Sequence, residues 1–125
     1  MLIYFAGQLT STDKADEKLR QASAVFNCTS EGIIVTDENR KIISVNPAFE
    51  LITGYRWEEV EGLDPDDFLH ARRHSDQFYP RLNDEGKNFW SGEIGCTTRD
   101  GKRFPAWEHV CYVYDEHGNL SNYVF

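Results

Sequence analysis

Gly32-Ile33-Ile34-Val35-Thr36-Asp37 and Lys41-Ile42-Ile43-Ser44-Val45-Asn46 are two runs of β-branched residues separated only by Glu38-Asn39-Arg40. Branching at Cβ stiffens χ1 and suits a pleated surface, so two such runs joined by a few polar residues read as an antiparallel hairpin. Asn46-Pro47 then marks a helix start. An asparagine oxygen can accept a first-turn amide there, and a proline at the first helical position lacks only an N–H that would have no helical partner.

Upstream of the hairpin, Leu19, Ala22, Val25 and Phe26 recur at helical spacing, which predicts a helix over about 14–28 with Thr12 or Asp13 at its cap. Glu31-Gly32 breaks it. The stretch Gly7 to Asp16 is polar, so residues 1–13 read as a lead-in. Residues 14–125 read as a single domain, with its core over 29–125. The opening Met1-Leu2-Ile3-Tyr4-Phe5-Ala6 run is too short to span a bilayer and lacks the basic flank of a signal peptide. It is expected to be the stub of an upstream helix in a longer parent.

Downstream of the hairpin the pattern turns to short helices. Ala48 to Thr53 stops at Gly54, Arg56 to Glu61 stops at Gly62, and Asp64-Pro65 opens a third helix carrying Phe68 and Leu69. A fourth stretch spans about Ser75 to Asn83, where Pro80 either kinks the helix or leaves its regular part to begin at Tyr79. Strands then return. Trp90 to Thr98 runs into Arg99-Asp100-Gly101-Lys102, an Asp-Gly hairpin signal, and Arg103 to Tyr114 comes back. Asp115 to Asn119 turns again, and Leu120 to Phe125 is a last strand. A helix, two strands, several short helices and three strands on tight turns give an α+β domain with helices on one face of an antiparallel sheet.

Composition narrows the function. Across 125 residues, 40% hydrophobic and 14% aromatic content suffices for one core. A formal net charge of −8, spread along the chain, repels phosphate backbones and anionic lipid, so neither nucleic acid nor direct membrane contact is expected. Cys28, Cys96 and Cys111 form no Cys-x-x-Cys pair and are odd in number, which predicts reduced, buried thiols in a cytoplasmic protein. No Gly-rich phosphate loop, nucleophile elbow or zinc spacing is present, so no enzyme is expected. His70 and His74 are four apart but have no third ligand, so no metal is expected.

The order of elements, together with Glu31-Gly32-Ile33-Ile34-Val35-Thr36-Asp37, Ile42-Ile43-Ser44-Val45-Asn46-Pro47-Ala48-Phe49 and Ile52-Thr53-Gly54-Tyr55, resembles the PAS family. Trp90-Ser91-Gly92-Glu93-Ile94 and Arg99-Asp100-Gly101-Lys102-Arg103-Phe104-Pro105 extend the resemblance to nearly the whole chain. The wording of the Trp90 segment, with Pro105-Ala106-Trp107, looks most like bacterial PAS modules upstream of GGDEF-type diguanylate cyclase and phosphodiesterase domains. The resemblance implies a five-stranded antiparallel sheet with short helices closing a pocket over its inner face and an N-terminal flanking helix. It implies a sensory input module that binds a small ligand or dimerises to regulate a covalently linked output domain, for cyclic-di-GMP turnover or a histidine kinase. The alternative is a ligand-free dimerisation module, and the parent could itself be membrane-attached.

Asp37 and Asn46 are read as turn and cap residues, and Gly54 and Gly62 as helix stops. The pocket candidates that the resemblance implies are Ile34, Thr36, Ile42, Phe49, Ile52, Phe68, Phe78, Ile94, Cys96, Ala106, Glu108, Val110 and Tyr123; Phe49, Ile52, Phe68, Phe78, Leu82 and Ile94 are also expected to form core. Alternation on the fourth strand leaves two registers. One turns Ala106, Glu108 and Val110 inward and Trp107 outward, and then the inward carboxylate needs a partner or a ligand. The other turns Trp107, His109 and Cys111 inward. The likeness to PAS domains favours the first, and makes exposed Trp107 a self-association anchor beside the helical stripe of Leu19, Ala22 and Phe26.

No cofactor is expected. Haem-binding PAS domains use a histidine in the fourth helical stretch, near His74 and His70, but His74 precedes a Ser75-Asp76 cap and Pro80 interrupts the helix. Flavin-binding LOV domains carry a reactive cysteine where this chain reads Gly62-Leu63-Asp64-Pro65-Asp66.

Overall fold

The computed structural model of the chain describes residues 11–70 and 89–125. The expected helix at Ser75 to Asn83 lies outside the described residues, and so do His74, Phe78, Pro80 and Leu82. Helix α1 (Ser11–Cys28) leads into β1 (Ile34–Asp37) and β2 (Ile42–Val45). Three short helices follow: α2 (Pro47–Thr53), α3 (Trp57–Val60) and α4 (Pro65–Phe68). Strands β3 (Phe89–Thr97), β4 (Arg103–Tyr114) and β5 (Leu120–Val124) complete the domain.

All five strands join one antiparallel sheet in the order β2-β1-β5-β4-β3. The last strand is therefore the middle one. Tight turns explain the three local hairpins, β1–β2, β3–β4 and β4–β5. In the first turn the Asp37 carboxylate accepts from the amides of Asn39 (2.8 Å) and Lys41 (2.9 Å), while Arg40 takes a left-handed φ of 63°. An aspartate that satisfies two turn amides lets a non-glycine residue hold that conformation. In the second, Thr98 and Asp100 bond side chain to side chain around Gly101.

Asn46 organises the junction of α1, the hairpin and α2. It is fully buried, and its Oδ1 accepts from the amides of Phe49 (3.0 Å) and Ile33 (2.8 Å). Its Nδ2 donates to the carbonyls of Phe26 (3.0 Å) and Glu31 (2.8 Å). The expected cap is thus also the clamp on the end of α1. Helix α1 begins at Ser11, ahead of the expected start, so Thr12 and Asp13 lie inside its first turn.

The helices cover one face of the sheet. Val60 of α3 is fully buried, and the turn after it hydrogen-bonds the edge strand through Gly62 N to Ile42 O and Ile42 N to Leu63 O, both 2.9 Å. Helix α2 is tied to the β3–β4 turn by Arg99 N donating to Thr53 O at 2.8 Å. Two expectations fail here. Cys96 is buried, but Cys28 and Cys111 are exposed, because one lies at the end of the solvated α1 and the other on the outer face of β4. Ile52 is 47% exposed: the short α2 turns Ala48, Phe49 and Thr53 inward and leaves Leu51 and Ile52 outside. No helix among the described residues is long and apolar enough to cross a membrane.

Candidate binding site on the inner face of the sheet

Strand β4 shows which face is inner. Val110 is fully buried and Ala106 packs against the core, whereas Trp107 is 66% exposed. Side chains alternate along a strand, so Glu108 points inward with Ala106 and Val110, as the first register requires. Cross-strand pairing sets Glu108 opposite Gly92 and Ala106 opposite Ile94. Gly92 is needed there: a Cβ would lie 2.6 Å from Cζ2 of Trp90, whose ring covers that position.

The inner face carries two apolar clusters. Ile34, Ile42, Phe49, Val60, Leu69 and Cys96 form the first, with Phe68, Ile94 and Ala106 packed against it. Val110, Tyr112 and Tyr123 form the second, and Phe125 touches both. Thr36 is buried as well. The structure therefore brings the expected residues together on one face, with the exception of Ile52, which lines an open surface cleft of about 420 Å³ beside Gly54, Arg99 and Lys102. Phe78 lies outside the described residues. Of the self-association candidates, Leu19 (70%), Ala22 and Trp107 are exposed, while Phe26 is half-buried.

One cluster of charged residues interrupts this largely apolar face. Helix α4 is short but well defined: the Asp64 carboxylate caps it by accepting from Asp66 N at 2.9 Å, and Pro65 occupies its first position. Its end is held against β3, where Thr97 N donates to Leu69 O at 2.7 Å and His70 bridges to Cys96. That placement sends the His70 ring inward. Nδ1 meets the carboxylate of Asp66, one helical turn back, and Nε2 lies 2.7 Å from Oε2 of Glu108 on β4. The imidazole is fully buried, and both carboxylates are nearly so.

The electrostatics follow from this geometry. Burial alone would push the His70 pKa down, but hydrogen bonds to Asp66 and Glu108, and their charges, carry it up to about 9. Burial, and then the Glu108 charge, push the Cys96 thiol up to about 11. A thiol held protonated is a poor nucleophile at neutral pH. A neutral imidazole donates from one nitrogen only, so a ring between two carboxylates carries both protons or shares one with a carboxyl group. With both nitrogens engaged, His70 has no lone pair to give a metal. No group of three metal-ligating side chains occurs among the described residues.

Sequence reading identifies an inward Glu108 in need of a partner but not that partner. The available signal is Asp66 and His70, four residues apart at the end of a predicted helix. The separation of 38 positions between His70 and Glu108 hides the pairing until the sheet is assembled.

Comparison with known proteins agrees with this architecture. Over 80 residues, 62% of the chain, it is 30% identical to the sensor histidine kinase TmoS of Ectopseudomonas mendocina; the match spans 8% of that kinase. Its fold superposes on a PAS domain from Colwellia psychrerythraea with a TM-score of 0.70 at 23% identity, covering 86% of this chain and 92% of the other. The PAS domain of an HTR-like protein from Haloarcula marismortui superposes with a TM-score of 0.71 at 19% identity, covering 90% and 92%. The profile of the PAS domain matches residues 30–125, from the residue before the first matching segment to Phe125, and the chain is therefore a member of the PAS domain family, a sensory module.

Proposed function

We propose that this PAS domain is a cytoplasmic input module that binds a small ligand against the inner face of its sheet and regulates an output domain of its parent protein. The observation that carries this reading is the Asp66–His70–Glu108 group set in an otherwise apolar wall. Apolar surface with a few well-placed polar groups is what a small-molecule site needs for affinity and orientation. The residues offered to the ligand are Ile94, Cys96, Ala106, Glu108 and Val110 on β3 and β4, with Thr36, Phe49, Phe68 and Tyr123 around them. A histidine kinase is the preferred output, because the kinase relative carries the matching segment; a cyclic-di-GMP enzyme is the other.

A second reading is supported by the packing: Val60 and Val110 are fully buried in the two clusters, as in a filled core. The domain would then act through self-association alone, along the exposed stripe of Leu19, Ala22 and Val25 and through Trp107. Native mass spectrometry of the purified domain, with an absorption scan, distinguishes the two. A small molecule carried through purification supports the ligand sensor. A clean apo mass, with no mass gain on exposure to a panel of apolar and aromatic metabolites, supports the dimerising relay.

A further inference from the structure

His70 is held from three elements at once. Its backbone bridges to Cys96 on β3, its Nδ1 faces Asp66 on α4, and its Nε2 faces Glu108 on β4. The Phe125 ring after β5 stands 6.2 Å from the imidazole between centroids, and the Cys96 thiol on β3 feels the Glu108 charge. Neither can replace a carboxylate. The junction of helical cap and sheet therefore rests on an imidazole that meets both carboxylates attractively when it presents a donor at each nitrogen.

We infer that Asp66, His70 and Glu108 form a proton-held latch, in which a ring with two N–H groups clamps the end of α4 across β3 onto β4, and loss of one proton frees that end from the sheet. The chemistry is a single deprotonation. When the ring loses a proton, one nitrogen exposes its lone pair to a carboxylate, and that contact turns from attractive to repulsive. Burial amplifies the change, because both carboxylates are almost fully withdrawn from water, where an unfavourable contact is poorly screened. The hydrogen bond from Thr97 N to Leu69 O and the Leu69 side chain, buried in the first cluster, are the parts that shift when the clamp opens. The latch is a property of the fold, independent of whether a small ligand binds the inner face.

The test is NMR of the whole chain, with the histidine ring nitrogens and the Leu and Ile methyl groups labelled, from pH 6 to pH 10.5. The expected result is a His70 ring protonated at both nitrogens at neutral pH, with a midpoint at about 9. The Leu69 methyl signals shift with the same midpoint, while those of Ile42, buried in the same cluster beyond the latch, stay in place. In Glu108→Gln the ring midpoint falls by about one unit or more and the Leu69 transition moves with it. A ring midpoint below about 7.5 overturns the latch. So does a Leu69 signal that ignores the transition, and so does an Ile42 signal that follows it, since that would be global unfolding. The wild-type titration decides the matter even if the variant fails to fold.

Discussion

Nε2 of His70 lies 2.7 Å from Oε2 of Glu108, and this contact joins the end of the helical cap to the middle of β4. It is the one place among the described residues where a fully buried imidazole crosses from helix to sheet. Its energetics make the domain's stability depend on pH. The folded His70 pKa is raised from 6.5 to about 9, so the fold binds the proton more tightly than the unfolded chain does. Its stabilising contribution is therefore complete below pH 6.5 and is lost as pH rises through about 9. At about 1.4 kcal/mol per unit the loss is on the order of 3 kcal/mol. Urea unfolding at pH 6 and pH 9.5 is expected to show it in the wild type and not in His70→Gln.

Asn46→Ala removes four hydrogen bonds at once and leaves backbone groups of Ile33, Phe49, Phe26 and Glu31 without that partner. Each such loss costs about 1 kcal/mol or more, so a destabilisation of about 3–5 kcal/mol is expected in denaturant titration. Faster hydrogen exchange at the end of α1 should accompany it. Unchanged exchange there would mean that the helix is held by other contacts.

Gly92→Ala places a Cβ against Trp90, 2.6 Å from Cζ2. The ring must swing aside, at a cost of about 1–3 kcal/mol for overpacking. A shift in tryptophan emission that disappears in the Trp90→Phe background would assign the effect to that contact.

Leu19→Glu and Val25→Glu alter side chains that are mostly exposed, so each is expected to change stability by less than about 0.5 kcal/mol. If α1 is the self-association surface, the wild type sediments as a dimer and the double variant as a monomer. Phe26 is a poorer probe, since its side chain is half-buried and its substitution would also disturb packing. Trp107→Ser tests the sheet's contribution in the same measurement.

The local architecture is legible in the sequence because it is written in short-range chemistry. Two β-branched runs mark β1 and β2, Asn46-Pro47 marks the start of α2, and the Asp100-Gly101 pair places the β3–β4 turn. Each of these signals lies within a few residues of the structure it dictates, so no tertiary contact is needed to read it.

What the sequence leaves hidden depends on distance or on length. The partner of Glu108 lies 38 positions away, and only the docking of α4 on β3 brings it near. Ile52 reads as core because it is apolar and close to Phe49, but a seven-residue helix has room to bury only one narrow face. Cys28 and Cys111 read as buried from residue type alone, which says nothing about which face of a helix or strand they occupy. The register of β4 stays open between two readings until the burial of Val110 and the exposure of Trp107 decide it.

The pairing of β1 with the middle strand β5 has a mechanical consequence. Ile34 and Phe125 exchange two backbone hydrogen bonds, of 2.9 and 2.8 Å, so the start of β1 and the end of β5 sit side by side at the same end of an antiparallel pair. A pull on both at that end loads the ladder as a zipper, one rung at a time, rather than shearing all rungs together. Tension between these two points therefore peels the sheet open at low force from its centre, next to Phe125, whose ring neighbours both His70 and Tyr123.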